Sequence, residues 1–298
     1  MPSLTNPVRP RRSVLYMPGA NQRALDKAKT LPADCLVFDL EDAVHPDDKV
    51  TARETVCKAV AAGGYGAREV IVRINALDTV WGMDDVLDLS QVTPDALLVP
   101  KVCAAEDLMK VAMHVPDGMA LWAMMETPKG ILNAEEIASC ARSSPLAALV
   151  FGSNDLLKDM QAEAMAHREP LQAAMSLCVL AARANGLAAL DGVYNDYTDE
   201  DGLAQECRQG AAFGFDGKTL IHPAQLAVAN RVFAPSEQAV VQAQAVVAAF
   251  EAPENAGKGV LSVAGKMTER LHFEQAKHLL ALAGRIRELE TDAQAGQG

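Results

Sequence analysis

The stretch LWAMMETPKG (residues 121–130) runs apolar from Leu121 to Met125 and then meets a carboxylate, Glu126, with Thr127 and Pro128 directly behind it. A run this continuously apolar suits a strand covered on both faces, as in a parallel sheet. Glu126 is then either a solvated strand end or a charge held at the mouth of a buried strand. Runs of the same kind recur: SVLYMPG (13–19), CLVFDLE (35–41), EVIVRIN (69–75), ALLVPKV (96–102), ALVFGSND (148–155), LAALDGVY (187–194) and GFDGKTLIH (214–222). With the first, they make eight.

Amphipathic stretches lie between the runs. NQRALDKAKTL opens on Asn21, a good N-cap, after Pro18 and Gly19. DDKVTARETVCKAVAAG stops at Gly63–Gly64, and PLQAAMSLCVLAARANG stops at Asn185–Gly186. Eight strand–helix units predict a (β/α)8 TIM barrel. A doubly wound open sheet is the alternative, but it would favour fewer strands, and no GxGxxG follows the first run.

Beyond His222 the pattern changes. PAQLAVANRVF and SEQAVVQAQAVVAAFEA read as Ala-rich helices, the Gly-rich PENAGKGVLSVAGKM as a mobile loop, TERLHFEQAKHLLALAGRIREL as a last amphipathic helix, and TDAQAGQG as a frayed tail. The expected organisation is a barrel over residues 1–233 and a C-terminal helical extension over 234–298.

The chain has 298 residues and a formal net charge of −12, which disfavours a nucleic-acid partner. No segment approaches the ~20 apolar residues of a membrane span. The N-terminal basic residues are not followed by an apolar stretch of signal-peptide length. Cys35, Cys57, Cys103, Cys140, Cys178 and Cys207 form no CxxC pair. A cytoplasmic protein is expected.

Barrel chemistry sits at the C-terminal strand ends. There the sequence offers Asp39, Glu41 and Asp42 after the second run, Arg73 and Asn75 in the third, Lys101 in the fourth, Glu126 after the fifth and Asp155 after the sixth. Taken singly, each fits a solvated end or an ion pair. Arg73 and Lys101 lie within apolar runs and need partners if buried. Glu126 and Asp155, at adjacent strand ends, would repel unless a cation lies between them. Two hard carboxylates suit Mg2+, which keeps waters and accepts substrate oxygens. Arg73 beside it suits a substrate carboxylate. The set predicts carbon–carbon bond chemistry on a 2-oxo or 2-hydroxy acid. Phosphoryl transfer would want a GxxxxGK[ST] cradle, which the sequence lacks.

Several long strings then carry a resemblance: LYMPGANQRALDKA, VFDLEDAVHPDDKVTAR, VRINALDTVWGMDD, LVPKV, METPKGILNAEEIA, VFGSNDL, GVYNDYTDEDG and GFDGKTLIHPAQLAVANRVFAPS. Together, in order, they resemble the citrate lyase beta-subunit-like family of the HpcH/HpaI aldolase superfamily, which includes malyl-CoA and citramalyl-CoA lyases. The resemblance implies a Mg2+-dependent lyase that cleaves a 3-hydroxyacyl-CoA thioester to acetyl-CoA and a 2-oxo acid. A homo-oligomer built from trimers is expected, because a lid-like segment at 257–270 is hard to justify on a lone barrel, and citrate lyase partner subunits are left open.

Residue by residue, the resemblance assigns the metal to Glu126 and Asp155 and the oxo-acid and thioester enolate to Arg73. It assigns support of the metal waters, near Lys101, to Glu41 and Asp42. Coenzyme A falls to Tyr16 and its turn, Arg23 and Lys27, with His222 and Pro223 beside the pantetheine path. In the family's lyases an Asp acid/base sits in a lid that reaches a neighbouring subunit's site; the resemblance places that lid at 257–270 of the C-terminal extension, where this chain has Glu269 in AGKMTERLHFEQA. Glu reaches one methylene further, so Glu269 is either an adapted acid/base or an ordinary first-turn helix acid. That departure keeps thioester hydrolysis open on the same fold. A non-catalytic scaffold or metabolite-binding subunit is the third reading.

Overall fold

A computed structural model describes residues 9–295, with side chains described as far as Thr291. Contacts divide the chain into two compact units, Arg11–Phe233 and a unit running from Ala234 onward.

In the first unit eight parallel strands close into a barrel in sequence order. They are β1 (Ser13–Pro18), β2 (Cys35–Asp39), β3 (Glu69–Arg73), β4 (Ala96–Val99), β5 (Ala120–Met125), β6 (Leu146–Phe151), β7 (Ala188–Asp191) and β8 (Gly217–Leu220). The closing pair is β1 with β8, through Ser13↔Lys218 and Leu15↔Leu220. The open-sheet alternative is excluded.

The strand residues alternate between two cores. Val14, Val37, Ile71, Leu98, Trp122, Met124, Val150 and Leu190 fill the barrel interior. Their neighbours, such as Leu15, Phe38, Val72, Leu97 and Leu149, pack outward against the helices. Both faces are therefore apolar, and the strands read as continuous runs.

The surrounding helices are α1 (Gln22–Ala28), α2 (Lys49–Ala62), α3 (Gly82–Val92), α4 (Ala105–Ala112), α5 (Pro128–Leu132), α6 (Ala134–Ser139), α7 (Ser153–Met160), α8 (Gln172–Ala184), α9 (Glu200–Phe213) and α10 (Leu226–Val232). Asn21 caps α1 by accepting from Ala24 N, and α2 ends at Gly63, whose φ of 62° suits glycine.

The second unit packs α11 (Glu237–Glu251) against α12 (Arg270–Ala295), with Phe250 and Phe273 rings 5.3 Å apart. The expected mobile loop instead contains an antiparallel hairpin, β9 (Val260–Val263) and β10 (Lys266–Glu269). Ala264 and Gly265 form its two-residue turn with φ of 50° and 77°. Positive φ at both positions gives the turn whose twist matches the paired strands. The expected helical start at Thr268–Glu269 is corrected too: Glu269 closes β10 opposite Val260, and its N–H is accepted by Nδ1 of His272. Of the tail expected to fray, residues 291–295 continue α12, and 296–298 lie outside the described residues.

Among the described residues no helix is long and apolar enough to cross a membrane. None of the six cysteines is in a disulfide.

Candidate active site

A cavity of about 350 Å3 opens at the C-terminal end of the barrel. Tyr16, Asp39, Asp42, Arg73, Glu126 and Asp155 line one part of it, and Phe151, Val193, Asn195, Thr219 and Ile221 line another.

Arg73 ends β3, and Asp39 ends β2 directly beside it in register. The neighbouring strand therefore presents a carboxylate to the guanidinium. Nε and Nη2 of Arg73 donate to the two oxygens of Asp39, each at 2.7 Å. Nη1 donates to Asp42 Oδ2 at 3.2 Å. The Tyr16 ring packs 4.9 Å from the guanidinium carbon. Burial works against the charge on Arg73, but Asp39, Tyr16 and Glu41 together outweigh it and raise the pKa well above the usual value. One N–H on each terminal nitrogen is left to meet a ligand carboxylate.

The loop after β2 is fastened from below. Asp39 accepts from the N–H of Glu41 and Ala43, and Lys49 Nζ donates to the carbonyls of Leu40 and Glu41. This puts Glu41 Oε2 2.9 Å from Arg73 Nη1, but out of line for a hydrogen bond, and Oε2 is a buried atom without one. Burial, opposed by Arg73 and reinforced by Glu126, pushes the Glu41 carboxyl up to about 8. Near neutral pH burial therefore favours its protonated form.

Glu126 follows β5. Thr127 N-caps α5 by accepting from Gly130 N, and Pro128 takes the first helical position. The strand therefore turns into a helix immediately behind the carboxylate. Gly152, after β6, makes room: a Cβ there would lie 2.4 Å from Glu126 Cβ. Glu126 is 1% exposed, and burial raises its pKa against the pull of Lys101.

Asp155 stands in the first turn of α7, beyond the end of β6 at Phe151, and not at a strand end as expected. Lys101 is corrected as well. Pro100 follows the last residue of β4, and Lys101 lies outside the strand with φ 54°. Its backbone N–H donates to Glu126 Oε1 at 2.8 Å. Its Nζ lies 2.5 Å from Asp155 Oδ2 and 3.5 Å from Glu126 Oε1. An ammonium thus stands between the two carboxylates.

That position tests the fit of a metal. Asp39, Glu41, Asp42, Glu126 and Asp155 outnumber the cations near them, Arg73, Lys101 and, behind the β2 loop, Lys49, which leaves a net negative charge that a bound cation would offset. Among the described residues no group of three or more His, Cys, Asp or Glu could hold a metal. A cation at Glu126 and Asp155 would draw its other oxygens from water or ligand, as Mg2+ does.

Within the first unit, Arg23, Lys27, His222 and Pro223 do not line the cavity. Arg23 and Lys27 are exposed on α1. His222 is exposed and accepts from Ala224 N through Nδ1, capping the short turn that begins at Pro223, while its ring stacks on Tyr197 at 4.5 Å. Glu269 is exposed in the second unit.

Two residues that support the cavity were not singled out from the sequence. Gln225 is buried, accepts from the N–H of Ile221 and His222, and donates to the Tyr194 carbonyl, tying together the loops after β7 and β8. Gly192 packs where a Cβ would meet Phe151 O and Ser153 Oγ at 2.9 Å. The GxxxxGK-free glycines of a loop give no such signal, but the strand-then-glycine pattern of FGSND and DGVYN does.

The chain is 50% identical to a (3S)-malyl-CoA thioesterase of Cereibacter sphaeroides (strain ATCC 17025 / ATH 2.4.3), over 93% of this chain and 96% of that protein. It is 35% identical to citrate lyase subunit beta of Escherichia coli (strain K12), over 92% and 94% of the two chains. A crystal structure of CitE from Mycobacterium tuberculosis, in complex with magnesium, acetoacetate and coenzyme A, matches with a TM-score of 0.74 at 28% identity, covering 91% of this chain and 97% of that one. Residues 12–223, the barrel that carries the cavity, match the HpcH/HpaI aldolase/citrate lyase family, and the chain belongs to that family.

Proposed function

We propose that the protein is a Mg2+-dependent carbon–carbon lyase that cleaves a 3-hydroxyacyl-CoA of the malyl, citramalyl or citryl type into acetyl-CoA and a 2-oxo acid. The observation that carries this reading is the pair of carboxylates, buried Glu126 and partly exposed Asp155, beside Arg73, in a cluster with more negative than positive groups. The magnesium seen with the CitE relative supports it.

Glu126 and Asp155 would hold the metal, which supplies Lewis-acid polarisation of the oxygen that changes between hydroxyl and carbonyl. Arg73, fixed by Asp39, grips the carboxylate end of the substrate and stabilises enolate charge on the thioester. In cleavage the 3-hydroxyl loses its proton and the adjacent carbon–carbon bond breaks. That bond's electron pair becomes the thioester enolate, which a proton then converts to acetyl-CoA. Glu41 and Asp42 would support the waters of a bound metal, and Glu269 of a neighbouring subunit serves as acid/base. Tyr16, Arg23, Lys27, His222 and Pro223 form the path for coenzyme A. The working form is a cytoplasmic homo-oligomer built from trimers, and light scattering that finds a monomer would refute it.

A second reading, thioester hydrolysis, is favoured by the thioesterase relative at 50% identity. Both predict Mg2+-dependent consumption of malyl-CoA. Incubation with malyl-, citramalyl- and citryl-CoA separates them. Acetyl-CoA with the 2-oxo acid supports the lyase. Free coenzyme A with the intact hydroxy acid supports hydrolysis. No consumption of any of the three sinks both.

A further inference from the structure

Lys101 does two different jobs at one carboxylate. Its N–H donates to Glu126 Oε1, and its ammonium reaches round to the same oxygen and to Asp155 Oδ2. The first contact depends on the turn of the backbone, the second on the side chain alone. The turn is left-handed, with φ 54°, a conformation that Gly or Asn adopts more readily than Lys. Lysine stands there in spite of its backbone cost, and what it adds over Gly or Asn is the charge.

That charge occupies the ground a metal would need. Glu126 is buried and Asp155 is partly exposed, and without a cation they would repel. An ammonium and a divalent ion cannot both lie between the same two carboxylates without repelling each other. We propose that the Lys101 ammonium is a built-in competitor of the divalent cation: it holds Glu126 and Asp155 together in the metal-free protein and yields them when the metal binds. This rests on the proposed metal role of that pair. Metal affinity is then the net of an exchange of one cation for another, and the pair is never left bare. In the opposite case Lys101 is an auxiliary that shapes the pair for the metal, and its removal weakens binding.

The test is calorimetric titration of Mg2+ into the metal-free wild type and into Lys101→Asn, which keeps a residue at ease in the left-handed turn and removes the charge. Lys101→Gly serves if Lys101→Asn fails to fold. The expected result is a Kd about tenfold lower in the variant, since a competing charge a few ångströms away is lost. The metal-free variant should also melt below the metal-free wild type, with a larger rise in Tm on adding Mg2+. A Kd equal to or above that of the wild type overturns the exchange and leaves the metal role standing. A wild type that takes up no Mg2+ overturns both.

Discussion

The two ends of the barrel are built from the same residue types and put them to opposite uses. At the N-terminal end Arg11 meets Glu69 through two bonds of 2.7 and 2.8 Å, over the face of Trp122, and Arg12 meets Asp34 through two of 2.9 Å. Each arginine has its carboxylate, and the pairs close the bottom of the barrel. At the C-terminal end Arg73 and Lys101, with Lys49 behind the β2 loop, face the more numerous Asp39, Glu41, Asp42, Glu126 and Asp155. A matched buried pair is a structural device that contributes little net energy while it is intact and costs much when half is removed. An unmatched set needs something else to complete it. The lesson is that charge balance, more than the presence of buried charge, separates scaffold from site. A third network confirms the pattern away from the cavity: Arg168 and Lys218 meet Asp191 and Glu206, two against two, between β7, β8 and α9.

The sharpest way to break this contrast is to neutralise one residue at each end. On the proposed metal role of Glu126, Glu126→Gln should lower kcat/KM by about 1,000-fold or more, while its metal-free Tm moves little. Arg12→Ala should do the reverse: about 3–5 kcal/mol of stability lost in denaturant unfolding, from the stranded Asp34, with kcat per folded molecule kept within about twofold. If Arg12→Ala silenced the folded enzyme or Glu126→Gln left it active, the division between the ends would collapse.

Arg73→Lys comes next. A lysine keeps the charge but cannot span both oxygens of Asp39 and also present a fork to a ligand. Steady-state kinetics should show kcat/KM down about 100-fold. Gly152→Ala tests shape without charge. Its Cβ must displace Glu126 Cβ, 2.4 Å away, and a shift of about 1 Å in that group should cost roughly 10–100-fold in kcat. Unchanged kcat would mean that Glu126 is not held to a fixed position.

The smallest effect is in pH dependence. Glu41 titrates at about 8 in the folded chain against an ordinary 4.5, so the folded form binds the extra proton between these values. Stability from this group is full below about pH 4.5 and is lost as pH rises through about 8. Glu41→Gln removes that titration. Its Tm relative to metal-free wild type should climb by a few °C between pH 5 and pH 8. A flat difference would place the Glu41 pKa near its ordinary value.

The barrel was legible because burial on both faces writes each strand as an apolar run, and Arg73 inside VIVRIN stood out against that background. Its clamp was not legible. Asp39 meets Arg73 only through the register of β2 on β3, a property of two distant segments. Lys101 was misplaced because Pro100 ends the strand early and a left-handed turn at a lysine leaves no mark in the sequence. The hairpin at 260–269 leaves little trace in the sequence: VLSV is apolar, but KMTE after the turn is mostly polar and exposed, and Ala264–Gly265 is not a dipeptide that marks a two-residue turn. Glu269 gained a definite place, at the end of a strand, that helix periodicity did not suggest.

The most direct test of the unmatched end is a Mg2+ titration of the metal-free protein, followed by calorimetry, alongside Glu126→Gln and Asp155→Asn. One site per chain in the wild type, lost or weakened at least 100-fold in both variants, is the expected result. Absence of Mg2+ binding in the wild type, or binding undiminished in the variants, would contradict the assignment of the surplus carboxylates to a metal.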